Sequence, residues 1–255
     1  MKNTLQKISL GSWITLSNPA IAEILAKAGF EWLVVDLEHS MISFNEAAEL
    51  IRVIDLCGAK PYVRITSNDA NQIKRVMDAG AQGIIVPMVN SLQDVEKAAA
   101  AMFYPPKGTR GVGLARAQGY GAGFNDYLVE HKNFDLIVQI EHIDAITALD
   151  DILSHPDLRG FIVGPYDLSA SMKIPGQFDD ARFQEALDKI QMISAKYPHV
   201  KRGFHLVEPS TSALENLVRE NYNFIAYSVD IRMLDVSART ALSKFQEIAR
   251  ECTAL

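Results

Sequence analysis

The residues with the clearest chemical potential are Glu141, which follows the apolar run LIVQI, and Asp167, which follows FIVGPY. Between them Ile143, Ile146, Leu149, Ile152 and Leu153 recur at helical spacing, so the stretch from Leu136 to Ser169 reads as strand, helix, strand. Strands that are apolar without alternation belong to a parallel sheet covered on both faces. Parallel strands point the same way, so Glu141 and Asp167 are expected to emerge together at the carboxyl ends. Two carboxylates held close repel each other and need a proton or a cation between them. A hard divalent cation with oxygen ligands suits that pair. A helix-capping Asp and a solvated Glu would show the same spacing without any chemistry.

Other strand ends add to this set. The run WLVVDLEHS brings Asp36, Glu38 and His39 to one of them, PYVRIT brings Arg64, and Gln139 precedes Glu141 on its strand. A histidine titrates in the range proton transfer needs, and a neighbouring carboxylate would raise its basicity; a histidine bonded into a turn is the plainer alternative. Arg64 offers a planar fork of donors for an anion, or equally a salt bridge to Asp36 or Glu38. His142 follows Glu141, and His205 lies within the seventh strand. No lysine stands at a strand's carboxyl end, since Lys60 and Lys201 come before theirs, so a Schiff base lacks its amine. The turns LVEPS and YSVDI lack phosphate-cradling glycines, and neither GxGxxG after the first strand nor a Walker A run is present. A metal, a base and an arginine without an organic cofactor suit enolate chemistry.

Positioning these groups requires eight strand-then-helix units, from ISLGSWITL to a final amphipathic helix carrying Leu242, Phe245 and Ile248. That count predicts a closed (β/α)8 TIM barrel, with an open doubly wound sheet as the runner-up because periodicity does not report closure. Ser43 and Glu46 have capping-box spacing, and Asn68 or Asp69 caps a later helix. The rhythm breaks between Tyr104 and Lys132, where PPKGTRGVG and GYGAG make a long connection expected near the site. No linker or composition shift divides residues 1–255, which predicts a single domain.

Composition narrows the partners. The chain has 255 residues, a net charge of −6 and no basic run, which argues against nucleic acid. Cys57 and Cys252 are not in metal or disulfide-framework spacing, no apolar stretch is long enough to span a membrane, and no signal-peptide pattern opens the chain. The expectation is a cytoplasmic protein without membrane partners.

Taken in order, WLVVDLEHS, PYVRIT, QIKRVMDAGAQGIIVPMV, YPPKGTRGVG, VQIE and GPYDLS make the chain resemble the HpcH/HpaI-type class II pyruvate aldolases. These are the hydroxy-oxo-heptanedioate and dehydro-deoxy-glucarate aldolases, related to the citrate lyase β subunit. The resemblance implies a barrel of the phosphoenolpyruvate/pyruvate-domain type and a divalent cation, magnesium foremost, with manganese and cobalt as alternatives. It also implies reversible cleavage of a 2-keto-4-hydroxy acid to pyruvate and an aldehyde. Under it His39 is the base, Arg64 holds the keto oxygen and enolate, and Asp78 is the acid supporting His39, from the same or a neighbouring subunit. Glu141 and Asp167 are the metal ligands, while Gln139, Asp167 and the backbone at Tyr166 meet the substrate. A homo-oligomer, commonly a hexamer, with helix 231–252 exchanged between subunits is implied too. Tyr166 stands where family members carry a small residue, and GFHLVEPS, with His205 and Glu208, departs from the usual aliphatic run. A carbon–carbon lyase or synthase acting on a coenzyme A ester and a non-catalytic keto-acid binder are the alternative functions.

Overall fold

Successive side chains of a strand face opposite ways, so a strand whose residues are all apolar must be covered on both sides. The computed structural model, which describes residues 7–253, shows how this chain does so. Its strands are β1 (Ser9–Ile14), β2 (Trp32–Asp36), β3 (Lys60–Arg64), β4 (Gly83–Val86), β5 (Asp135–Ile140), β6 (Leu158–Val163), β7 (Lys201–Leu206) and β8 (Phe224–Val229). Each pairs in parallel with the next, and β8 pairs with β1, so the sheet closes into a barrel. The runner-up, an open sheet, is thereby excluded.

One face of every strand supplies a core outside the sheet, shared with the helices α1 (Pro19–Ala28), α2 (Phe44–Leu56), α3 (Ala70–Asp78), α4 (Leu92–Met102), α6 (Ile143–Thr147), α7 (Leu149–Leu153), α8 (Pro165–Ser171), α9 (Ala181–Ser194) and α10 (Thr211–Arg219), while α5 (Phe124–Glu130) belongs to the connection between α4 and β5. The other face fills the barrel with Trp13, Trp32, Val34, Tyr62, Ile85, Ile137, Ile162, Phe224 and Ala226. At the amino-terminal floor Tyr62 donates its hydroxyl to Asp135, whose charge is met by Lys201 at 2.9 Å. Lys60 and Lys201 therefore open β3 and β7 and sit far from the carboxyl ends.

Local signals set the helix ends. Ser43 and Glu46 form the capping box, and Asp69, rather than Asn68, caps α3; Asn68 instead donates to the Asp94 carbonyl. The helix expected across 143–153 is two short helices divided at Ala148 (φ −91°, ψ 7°), with Ile146, Leu149, Ile152 and Leu153 buried and Ile143 left at the rim. A last helix, α11 (Asp230–Thr253), is anchored where Asp230 accepts hydrogen bonds from the Thr15 and Leu16 amides, both at 2.9 Å. Beyond that anchor Leu234, Leu242, Phe245 and Ile248 are exposed.

The connection between Tyr104 and Lys132 does not lie near the carboxyl ends. It joins the end of α4 to the start of β5, and a helix running back along a barrel ends at the amino-terminal edge. Arg116 ties it there, to Asp55 near the end of α2 and to the Ala79 carbonyl after α3.

Gly11 on β1 faces the Trp32 indole, and a Cβ added there would fall 2.0 Å from a ring carbon. The ring is buried and stacked on Phe224, with centroids 4.2 Å apart, so it has nowhere to go. Gly11→Ala should therefore destabilise the fold by about 1–3 kcal/mol, as overpacked cores do, read as a lower urea midpoint. An unchanged midpoint would contradict this packing.

Candidate active site at the carboxyl ends of the strands

Alternation inside the barrel decides which residues reach the mouth. Counting by twos, Trp32 and Val34 lead to Asp36 on β2, Tyr62 leads to Arg64 on β3, and Ile137 leads to Gln139 and Glu141 on β5. On β7 the inward series ends at His205. The polar residues thus cap an apolar column and are largely screened from water: Asp36, Arg64, Gln139 and Glu141 are 1%, 6%, 2% and 4% exposed.

Asp36 and Arg64 are register partners, and their side chains meet in a bidentate pair, Nε to Oδ1 at 2.9 Å and Nη2 to Oδ2 at 2.6 Å. Asp36 Oδ1 also accepts from the backbone amides of Glu38 (3.0 Å) and His39 (3.3 Å). The His39 ring is exposed and makes no hydrogen bond among the described residues. The carboxylate three residues before His39 therefore shapes its turn rather than pairing with its ring. Burial works against the Arg64 charge, but the hydrogen bonds and charge of Asp36, then Glu38 and Glu141, outweigh it and raise the pKa.

From Arg64 the network continues to β5. Arg64 Nη1 approaches Gln139 Oε1 at 3.5 Å, and Gln139 Nε2 donates to Glu141 Oε2 at 2.9 Å. The other Glu141 oxygen accepts from the Met88 amide at 2.6 Å. Met88 follows β4 with φ +52°, a conformation rarely held by a residue with a Cβ. Gly164 leaves room for Glu141, since a Cβ there would lie 3.0 Å from Glu141 Oε2.

Asp167, in the first turn of α8, is exposed beside this group. Burial pushes the Glu141 carboxyl up to about 7, with the charges of Glu38 and Asp167 adding to the effect and the Met88 and Arg64 contacts opposing it. Burial also raises Glu38, helped by Asp36 and Asp167 and opposed by Arg64. Glu38 Oε2 is buried without a hydrogen bond, although Arg64 Nη1 is 3.2 Å away. An acidic group that resists full ionisation is what a hard cation relieves. No set of three or more His, Cys, Asp or Glu side chains among the described residues encloses a metal ion. Two carboxylates with open positions for water and substrate fit magnesium better than a closed cage would, so Glu141 and Asp167 are the donors that fit.

Asp78 is not brought to His39 within the chain. It ends α3, at the opposite edge of the barrel from the start of that helix. There burial raises its carboxyl, opposed by the charge of Arg110 and a hydrogen bond from Gln118, both in the 104–132 connection. Its Oδ1 is buried without a partner.

Tyr166 is 45% exposed, its ring edge-on to Phe178 with centroids 5.1 Å apart. His205 stacks on Trp13 at 4.4 Å, and Arg64 lies 5.6 Å from the same indole. Sequence reading missed Met88 and Trp13. Pro87 marked the end of β4, but a backbone amide carries no residue-type signal, and Trp13 reads as ordinary core.

A closed parallel barrel whose mouth carries a buried Arg–Gln–Glu chain and a second carboxylate defines a class of site built for oxyanion substrates and a divalent cation. The family model described as HpcH/HpaI aldolase/citrate lyase matches residues 9–235, and the chain belongs to that family. It is 33% identical to the hydroxypyruvate/pyruvate aldolase of Roseovarius nubinhibens over 93% of this chain and 92% of that one. It is 34% identical to the 4-hydroxy-2-oxo-heptane-1,7-dioate aldolase of Salmonella dublin, over 92% and 89% of the two chains. A solved structure of an HpcH/HpaI aldolase/citrate lyase family protein from Burkholderia cenocepacia superposes with a TM-score of 0.88 at 27% identity, covering 94% of this chain and 95% of that one. No helix among the described residues is long and apolar enough to cross a membrane.

A free glutamate ionises near 4.5 and Glu141 near 7, so between these values the folded state holds an extra proton and loses stability as pH rises. A cation that replaces the proton offsets that loss. Thermal unfolding should show magnesium stabilising the chain more above pH 7 than below it, with Glu141→Gln abolishing the response. An equal response in the variant would contradict the site.

Proposed function

We propose that this chain is a metal-dependent aldolase that reversibly cleaves a 2-keto-4-hydroxy acid to pyruvate and an aldehyde. The observation that carries the reading is the Asp36–Arg64–Gln139–Glu141 chain at the mouth of a barrel belonging to an aldolase family. Glu141 and Asp167 would hold a divalent cation, magnesium foremost, which when bound supplies Lewis acidity to the 2-keto acid.

The chain's own residues do the rest. Asp36 takes the Nε and one Nη2 hydrogen of Arg64, and donors of the guanidinium remain for the keto oxygen. In cleavage His39 accepts the proton of the C4 hydroxyl, that oxygen forms the aldehyde carbonyl, and the C3–C4 electron pair becomes the enolate of pyruvate. Arg64 carries the negative charge that collects on the enolate oxygen, and Gln139 orients the acid beside it. Return of a proton to C3 completes pyruvate.

The support for Asp78 as the acid behind His39 is its unpartnered buried oxygen at the opposite edge of its own barrel, away from the His39 of the same chain, which suits a role toward a neighbouring subunit. The exposed Leu234, Leu242, Phe245 and Ile248 of α11 support a homo-oligomer in which that helix packs on a neighbouring barrel.

Pyruvate incubated in deuterated water with the metal-loaded chain should lose its methyl proton signal, and a chelator should stop the exchange. His39→Ala should slow exchange by about 10²–10⁴-fold and Arg64→Ala by about 10²–10³-fold. Mixing His39→Ala with Asp78→Asn subunits should restore part of the activity through mixed sites. Full exchange in both His39→Ala and Arg64→Ala would overturn the assignment, and no complementation would place the supporting acid elsewhere.

A further inference from the structure

A groove of about 280 Å³ opens beside Pro165 and Tyr166 at the start of α8, between that helix, α9 and the end of β7. Tyr166, Phe178, Phe183, Leu187, Phe204 and Val207 supply most of its wall, and no lysine or arginine lines it. We infer that the aldehyde taken by this aldolase carries an uncharged, apolar tail that lies in this groove. The inference rests on the aldolase reading and names the acceptor class that reading leaves open.

Continuity with the site is the first support. Tyr166 directly precedes Asp167, and His205, which also lines the groove, stacks on the Trp13 indole that Arg64 approaches. An aldehyde reacting beside Arg64 would have its tail directed over Trp13 and His205 into the Tyr166–Phe178 wall.

Charge is the second. Glu208 is the one acid in the lining, and Arg232 binds it through two nitrogens at 3.0 and 2.8 Å while also pairing with Asp235. That guanidinium is thus already paired with two carboxylates, and Arg232 is not in the lining. His205 directs Nε2 at the Ser228 carbonyl at 3.2 Å, so this nitrogen carries the hydrogen and Nδ1 is left as an acceptor. Burial, with the charge of Arg64 adding to it, pushes the ring down to about 4, and it stays neutral at ordinary pH. A terminal carboxylate would meet mostly apolar walls, a neutral imidazole and the acid of Glu208, with no cation in the lining to pair its charge and only the Gln184 amide and Tyr166 hydroxyl as neutral donors. An alkyl or aryl tail meets no such cost.

Size is the third. The volume is just below the range of drug-sized pockets, which suits a tail of several carbons rather than the arm of a coenzyme A ester.

The test compares two aldehydes of equal chain length, hexanal and 6-oxohexanoate, as acceptors for pyruvate with the metal-loaded full chain. Pyruvate methyl exchange is followed in parallel. Hexanal should be favoured in kcat/KM by at least about tenfold, and the series from propanal to hexanal should gain about fourfold per methylene. Phe178→Ala should lower the hexanal-to-propanal ratio, a comparison internal to the variant and therefore independent of how much of it folds. Phe178→Arg should shift preference toward 6-oxohexanoate. Exchange with no chain-length dependence, or with 6-oxohexanoate equal or preferred, overturns the inference and leaves the aldolase reading intact; a groove filled by a side chain of a second copy would give the first of these results. Absence of exchange overturns the aldolase reading and the inference with it.

Discussion

The carboxylate of Asp36 is the constraint on which the mouth of the barrel depends. It pins the Arg64 guanidinium from two sides and gathers the amides of Glu38 and His39. A buried arginine without such a partner would be unstable in its charged form. With Asp36 in place, Arg64 is fixed on the mouth side of Trp13, and His39 projects from a turn whose backbone is already satisfied. Arg64 then reaches Gln139, and Gln139 reaches Glu141, so one strand-to-strand pairing propagates across the mouth to the acidic side.

That acidic side is held by unusual backbone. Met88 adopts a left-handed conformation and donates its amide to Glu141, and Ser228, also at positive φ, presents its carbonyl to His205. Backbone held in such conformations at a ring of strand ends is a mark of functional sites. The apolar column beneath, from Trp32 and Phe224 upward, supplies the rigidity against which these side chains are set. Precision at the mouth and close packing at the floor are two ends of the same alternating strands.

Much of this was legible in the residues, and the exceptions have physical reasons. Uninterrupted apolar strands separated by helical spacing pointed to the barrel, and its closure through β8 and β1 followed the count of units. Asp36, Arg64, Gln139 and Glu141 were legible because polar residues that end apolar runs must lie at a strand's mouth. The alternatives raised for Arg64, an anion site or a salt bridge, turned out to be compatible, because a guanidinium has donors enough for both. The 104–132 connection was expected near the site because glycine-rich loops suggest one, whereas its position in the chain, between α4 and β5, sends it to the amino-terminal edge of its own barrel, beside Asp78. Asp78 lies at that same edge, where spacing within a single chain carries no information about a neighbour. Met88 acts through its amide and Trp13 through its ring face, and neither leaves a motif.

The edge organised by Asp36 is where we propose that a 2-keto acid and a divalent cation meet. A crystal structure with manganese and pyruvate, the metal located by its anomalous scattering, tests it most directly. Manganese should lie between Glu141 and Asp167, with the pyruvate keto oxygen within hydrogen-bonding distance of Arg64. Manganese bound elsewhere, or pyruvate held away from Arg64, would contradict it.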